Sequence, residues 1–298
     1  MALLAAARAL LTPGAAPRRL GQRGLSTTCK EAAGHCTLSL HSWFFKPAFG
    51  MKDYEILGRA SGILTARRDG ALTVLTSLHN VDPASLPHYC GPEDGPTAWM
   101  HHVRPDEVKI VLQVLDESGS VLDELEMKHD AVSKHESRDL AAVDFENDNE
   151  ARAFLEKHAL VPFDFASSAM ASPEPGDEVL CHGQTVEPRM EDDQDVSKSM
   201  PARIGGIFAI NETLQVMAQG GVHITAPQIL VATSEPLEPG MCGGAVQATG
   251  GLVGMIEGIL TPELAERLEL PQLTAVIPAS ELADFVATLP NTNSTSSP

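Results

Sequence analysis

The chain has 298 residues, 43% hydrophobic and 20% charged, which is material for packed cores and excludes a wholly disordered chain. Its 21 basic residues face 40 acidic ones, a net charge of −19, which argues against a nucleic-acid binder working by phosphate neutralisation. Aromatics are only 4%, while Gly and Pro number 24 and 21, so the cores are aliphatic and turns are frequent, as in a β-rich fold.

In chain order, Met1 to Thr28 comes first. It carries Arg8, Arg18, Arg19 and Arg23, no Asp or Glu, and many Ala and Leu, the composition of an organelle transit peptide. Three of its four arginines follow the apolar stretch, unlike a secretory signal. Arg23-Gly24-Leu25-Ser26 resembles the end of a mitochondrial presequence, so the mitochondrial matrix is the expected compartment and a plastid the alternative. Arg8 interrupts the first apolar stretch and no later run reaches ~17 residues, so no membrane span is expected. The five cysteines, Cys29, Cys36, Cys90, Cys181 and Cys242, are odd in number and form no CxxC. Neither a disulfide framework nor a zinc ribbon follows, and in a reducing compartment one of them has thiol reactivity as its reason to be there.

From Ser39 onward the text reads as short strands and turns. Gly62–Ala66 and Ala71–Thr76 flank Asp69-Gly70, a hairpin signal. Val108–Leu115 and Val121–Met127 flank Glu117-Ser118-Gly119, and Leu140–Phe145 is a further strand. Glu150–Leu160 reads as a helix or connector. In the second half, strands are expected at Val179-Leu180-Cys181, Ile204–Ile210, Thr213–Ala218, Gln228–Ala232, Gly244–Gln247 and Leu252–Ile256. The acidic stretch Glu191–Asp195 is expected to be a solvated loop. Thr261-Pro262 opens a short helix to about Leu268, and Ser280 caps a last helix with Leu282, Phe285, Val286 and Leu289 on one face. The tail 291–298 is rich in Ser, Thr and Asn. Together this predicts an all-β fold of two small barrels, residues 37–158 and 159–290, the second closed by the C-terminal helix.

Three local patterns carry chemistry. Thr76-Ser77-Leu78-His79 ends an apolar strand. Arg138-Asp139-Leu140-Ala141-Ala142-Val143 begins one. Pro239-Gly240-Met241-Cys242-Gly243-Gly244 is a Gly-rich turn leading into a third. The order His, acid, nucleophile is one of the known orders of a hydrolytic triad. Asp144 and Glu136 are near enough in sequence to compete with Asp139 for the acid's role. His101-His102 and Cys181-His182 hold metal-ligand residue types without spaced partners, so no metal site is expected. Gly220-Gly221 lacks the strand-to-helix context of a nucleotide site.

These motifs resemble the chymotrypsin-like (trypsin-like) peptidase superfamily. The His ends a strand as in the family's Thr-Ala-Ala-His motif, the Asp precedes an apolar strand, and Gly240–Gly244 matches Gly-X-Ser-Gly-Gly with Cys242 in the serine's place. The text is closest in style to HtrA-type proteases, through Gly176-Asp177-Glu178-Val179, Pro239–Gly244 and, loosely, Gly251–Met255. The resemblance spans roughly residues 58–289 and leaves no room for the PDZ domain that longer HtrA proteins carry. It implies two packed six-stranded barrels with a C-terminal helix, a polypeptide substrate, no cofactor and no metal, and a homo-oligomer or organellar complex as further partners. Picornaviral cysteine proteases of this fold use Gly-X-Cys-Gly-Gly, so a cysteine there is compatible with catalysis.

The chemistry explains the residue types. A Cys242 thiolate would attack a carbonyl, His79 would carry the proton, and Asp139 would orient the imidazole. Backbone N–H groups of Gly240, Met241 and Cys242 would form an oxyanion hole, where losing one donor costs about 10²–10³ in rate. By family analogy, substrate would lie as an added strand beside Met255, Ile256, Glu257 and Gly258. Two rival readings compete with the peptidase. One is an inactive pseudoprotease serving as a scaffold or subunit of an organellar assembly. The other is a redox-sensing thiol protein.

Overall fold

The computed structural model describes residues 37–86, 95, 97–187, 190–191, 194–195, 197–217, 223–259 and 273–291. Residues 1–28, read above as a transit peptide, Cys29, Cys36, Cys90, Gly220-Gly221, the helix expected after Thr261 and the tail beyond Asn291 lie outside these residues.

Strands β1 (Thr37–Phe44), β2 (Glu55–Ala66), β3 (Leu72–Thr76), β4 (Val108–Leu115), β5 (Val121–Lys134) and β6 (Ala141–Phe145) close into an antiparallel barrel ordered β1-β2-β3-β6-β5-β4. The β2–β3 turn works as Asp-Gly turns do. Gly70 takes a left-handed φ of 80° and donates its N–H to Arg67 O at 3.0 Å, while the Asp69 carboxylate accepts the Ala71 N–H at 3.1 Å. Helix α1 (Asp148–Lys157) follows the barrel. Its first orphan N–H groups, those of Asn149 and Glu150, are taken by the Asn147 side chain at 3.0 and 3.4 Å.

The second barrel runs β10 (Lys198–Met217), β11 (His223–Thr233), β14 (Leu273–Pro278), β13 (Gly251–Ile259), β12 (Ala245–Ala248) and β7 (Glu178–Glu187) around its wall. Helix α2 (Ala279–Thr288) closes the described chain. Three expectations change here. Where a solvated loop was expected, the acidic stretch contributes the short strands β8 (Met190–Glu191) and β9 (Gln194–Asp195), which pair with each other. Ile204–Ile210 and Thr213–Ala218 are not two strands, because β10 runs straight through Asn211-Glu212. Both residues stay in register with Ile229 and Gln228, and the only irregularity is a bulge at Phe208/Ile210. The last helix starts at Ala279, ahead of Ser280, and Pro278 rather than Ser280 occupies its N-cap.

Strand alternation explains why so many runs are apolar on consecutive residues. Leu64, Val74, Ala141 and Val143 fill the first barrel, while their neighbours Ile63, Leu75, Leu140 and Ala142 point outward. Val246, Val253, Ile256 and Val276 fill the second barrel, while Ala245, Leu252, Met255 and Ile277 point outward. The two outward sets meet each other and the Leu282, Phe285, Val286 and Leu289 face of α2 in one cluster. The helix thus packs into the seam between the barrels. Its far end is tied to the first barrel where Arg67 Nη1 donates to Pro290 O at 2.7 Å. Burying a Leu or Ile side chain in such a seam contributes about 1.5–3 kcal/mol, so the seam holds the barrels in one relative position.

Candidate active site

β3 ends at Thr76, and a 3-10 turn, Leu78–Asn80, follows it. Leu78 is driven into the first barrel's core, which leaves its neighbour His79 partly exposed at the barrel rim. The β5–β6 connection is drawn tight around another imidazole. His135 donates its N–H to Leu140 O at 2.9 Å, and its Nδ1 accepts the N–H groups of Ser137 and Arg138, both at 3.2 Å. This turn delivers Asp139, buried, against His79. The two carboxylate oxygens divide the work: Oδ1 accepts the His79 backbone N–H at 2.9 Å, and Oδ2 pairs with Nδ1 at 2.5 Å. Neither competing acid is in place. Asp144 sits on β6 opposite Thr73 and pairs with Arg67, and Glu136 is exposed.

Cys242 comes from the second barrel, on the loop between β11 and β12. Gly240 and Gly243 hold left-handed φ values of 97° and 87° there, and a Cβ on Gly243 would stand 2.1 Å from the Ser61 carbonyl oxygen. Met241 anchors the loop by inserting into the second barrel's core. The Cys242 sulfur stands beside the His79 ring, close enough to act on its charge. Since Nδ1 is taken by Asp139, Nε2 is the nitrogen left for the sulfur. The structure therefore brings His79, Asp139 and Cys242 together across the seam.

The electrostatics of the ring follow from this placement. Burial works against a charged imidazole, but the Asp139 carboxylate, its hydrogen bond and the Cys242 sulfur outweigh it and raise the His79 pKa to about 10. His41, in the same barrel, shows the opposite outcome. It faces Ser199 Oγ at 2.9 Å with no carboxylate partner, and burial together with nearby Arg59 lowers its pKa to about 4.

The expected oxyanion hole narrows. The Met241 N–H closes the turn onto Glu238 O at 3.3 Å, so it is not free to serve as a donor. Among the described residues, the N–H groups of Gly240 and Cys242 make no hydrogen bond and remain available. The expected substrate edge shortens as well. Met255 and Ile256 are fully buried, and Met255 is paired on both sides, with Ala245 and Ile277. The Ile256 N–H donates to Gly244 O and its carbonyl accepts from the Gly243 N–H, both at 2.8 Å. Neither residue can hold an added strand. Beyond them, Glu257 falls in a bulge and, among the described residues, Gly258 pairs only with Ala275 of β14, so within these residues an edge for an added strand begins at Glu257.

Sequence reading missed two neighbours of the site. Arg138, wholly buried beside Asp139, spends all five guanidinium N–H groups across the seam. It forms a fork to the Glu257 carboxylate (3.2 and 2.9 Å) and single bonds to Gln228 Oε1 (2.9 Å), Pro227 O (2.9 Å) and Glu281 Oε2 (3.2 Å). Burial pushes the Glu257 carboxyl upward, with the Asp139 charge adding to this and Arg138 opposing it. The second neighbour is Ser61 of β2, which touches the Cys242 loop. An arginine directly before the acid was a visible signal; nothing in the text around Ser61 marked it.

A thiol beside an imidazole that a buried carboxylate orients is an arrangement able to carry acyl-transfer chemistry. Among the described residues, no three His, Cys, Asp or Glu side chains cluster so as to hold a metal ion, and no helix is long and apolar enough to cross a membrane. Comparison with known proteins finds no matching family model and no matching curated protein. Among solved structures, the chain is similar to the active form of the Rv3671c protease from M. tuberculosis. The TM-score is 0.52 at 14% identity, over 88% of this chain and 83% of that one. The inactive form of the same protease aligns at TM-score 0.49 and 14% identity, over 89% and 93%. The first likeness, with the two closed barrels and the C-terminal helix, shows that the fold is the trypsin-like double barrel.

Proposed function

We propose that the chain is an endopeptidase with a cysteine nucleophile, in which Cys242 attacks the carbonyl carbon of a peptide bond. The observation that carries this reading is the His79 ring, paired with the buried Asp139 carboxylate on one side and with the Cys242 sulfur beside it. Attack requires the sulfur as a thiolate, and an imidazolium beside it favours that form. The tetrahedral oxyanion would be held by the Gly240 and Cys242 N–H groups. The proton that His79 carries at neutral pH is the one the leaving amine needs, and transferring it releases the C-terminal fragment. Water then hydrolyses the thioester, with His79, now neutral, as its base. Asp139 keeps Nε2 turned toward the reaction throughout.

The substrate is a polypeptide, added as a strand at the β13 edge from Glu257 and Gly258. The likeness to a solved protease of the same fold supports this class of substrate. The HtrA-like style of the motifs and the transit-type composition of residues 1–28 support work in an organelle, with the mitochondrial matrix first. The test is to digest a diverse peptide library with the full chain and with its Cys242→Ala variant, and to read the products by mass spectrometry. Cuts made by the native chain alone are expected. A folded native chain that makes no cuts and whose Cys242 is inert to iodoacetamide would overturn the proposal in favour of a scaffold.

A further inference from the structure

Ser61 is wholly buried on β2, in the barrel that carries His79, yet its polar atoms face the loop of the other barrel. Its hydroxyl donates to Gly240 O at 2.7 Å and accepts the Gln184 N–H at 2.8 Å. Its backbone N–H donates to Cys242 O at 3.0 Å. These two carbonyls flank the peptide that bears the Cys242 N–H. The flanking peptides are held at their other ends as well, Met241 N–H on Glu238 O and Gly243 N–H on Ile256 O. The central peptide is pinned too, since Met241 O accepts the Gly244 N–H at 2.9 Å. A peptide plane held at both its oxygen and its N–H cannot rotate, so the direction of the Cys242 N–H is fixed by groups around it. Behind Ser61 stands Thr76, whose Oγ1 donates to Ser61 O at 2.8 Å, three residues before His79 on the same strand–turn unit.

We propose that Ser61 is a positioning residue for acyl transfer, fixing the oxyanion-binding loop and registering it to the strand that presents His79. This rests on the peptidase reading of Cys242. A side chain one bond removed from the donors acts through their geometry, where a misplacement of about 1 Å can cost about a hundredfold in rate. A purely structural role would not distinguish reactions that need the oxyanion site from those that do not.

The experiment uses two small probes on the full chain. p-Nitrophenyl acetate acylates Cys242: the sulfur bonds to the acetyl carbon, p-nitrophenolate leaves with the bonding electrons, and the carbonyl oxygen passes through an oxyanion. Iodoacetamide alkylates the same sulfur with loss of iodide and forms no oxyanion. Ser61→Ala is expected to slow acylation about tenfold to a hundredfold and to leave alkylation within about twofold of native. Thr76→Val, nearly isosteric, is expected to shift the ratio the same way by a smaller factor, and it carries the test should Ser61→Ala fail to fold. Acylation and alkylation falling equally, or neither falling, would overturn the role of Ser61. A native chain that is alkylated at Cys242 but never acylated would contradict the peptidase reading itself, and this inference with it.

Discussion

His79 and His41 occupy one barrel and are driven in opposite directions, the first toward about 10 and the second toward about 4. Burial disfavours the charged ring in both; Arg59 adds to that at His41, whereas at His79 the Asp139 carboxylate and the Cys242 sulfur outweigh it. Asp139→Asn is therefore expected to lower the His79 midpoint by more than one pH unit, read by NMR titration of the imidazole. An unchanged midpoint would contradict the assigned cause. The sign for stability follows. The folded chain holds the proton more tightly than an ordinary imidazole of pKa 6.5, so the contribution is complete below about 6.5. It is lost as the pH rises through about 10. The stability gap between native and Asp139→Asn chains is expected to shrink over that window. His79, Asp139 and Cys242 were legible because each lies in a short local motif at a strand end. Ser61 was not, because its partner Gly240 is 179 residues away and a lone serine in a strand carries no mark of a distant carbonyl.

At the scale of elements, the hairpins were legible wherever a glycine had to take a left-handed turn, as at Gly70 and Gly119. Asn211-Glu212 fell between two expected strands, but their pairing with Ile229 and Gln228 of β11 makes the run one strand. The consecutive apolar residues of β3 and β6 gave strands without saying which face meets the other barrel. The polar side of that seam is the Arg138 fork, which joins the β5–β6 turn to β11, β13 and α2. Arg138→Met leaves the buried Glu257 carboxylate without its cation and is expected to cost about 3–5 kcal/mol in denaturant unfolding. The double variant with Glu257→Met removes both charges and is expected to recover much of that loss. Additive losses in the two single variants would show that the residues do not act as a pair.

Across the whole molecule, His79 and Asp139 come from one barrel and Cys242 from the other, so the proposed site exists only where the barrels meet. The cluster around α2, the Arg138 fork and the Ser61 contacts hold that meeting in a single geometry. A double barrel was legible from the number and spacing of strands, whereas the seam was not, because it is built from pairs far apart in sequence. In the proposed mechanism Cys242 becomes covalently acylated as a peptide bond breaks. The direct measurement is acid quenching of the native chain during turnover of a peptide it cuts, followed by mass mapping of Cys242. The expected result is an adduct on Cys242 equal in mass to the N-terminal product less one water, absent from Cys242→Ala, which also makes no cuts. Cleavage that persists in Cys242→Ala, or turnover in which Cys242 is never modified, would contradict the proposed mechanism.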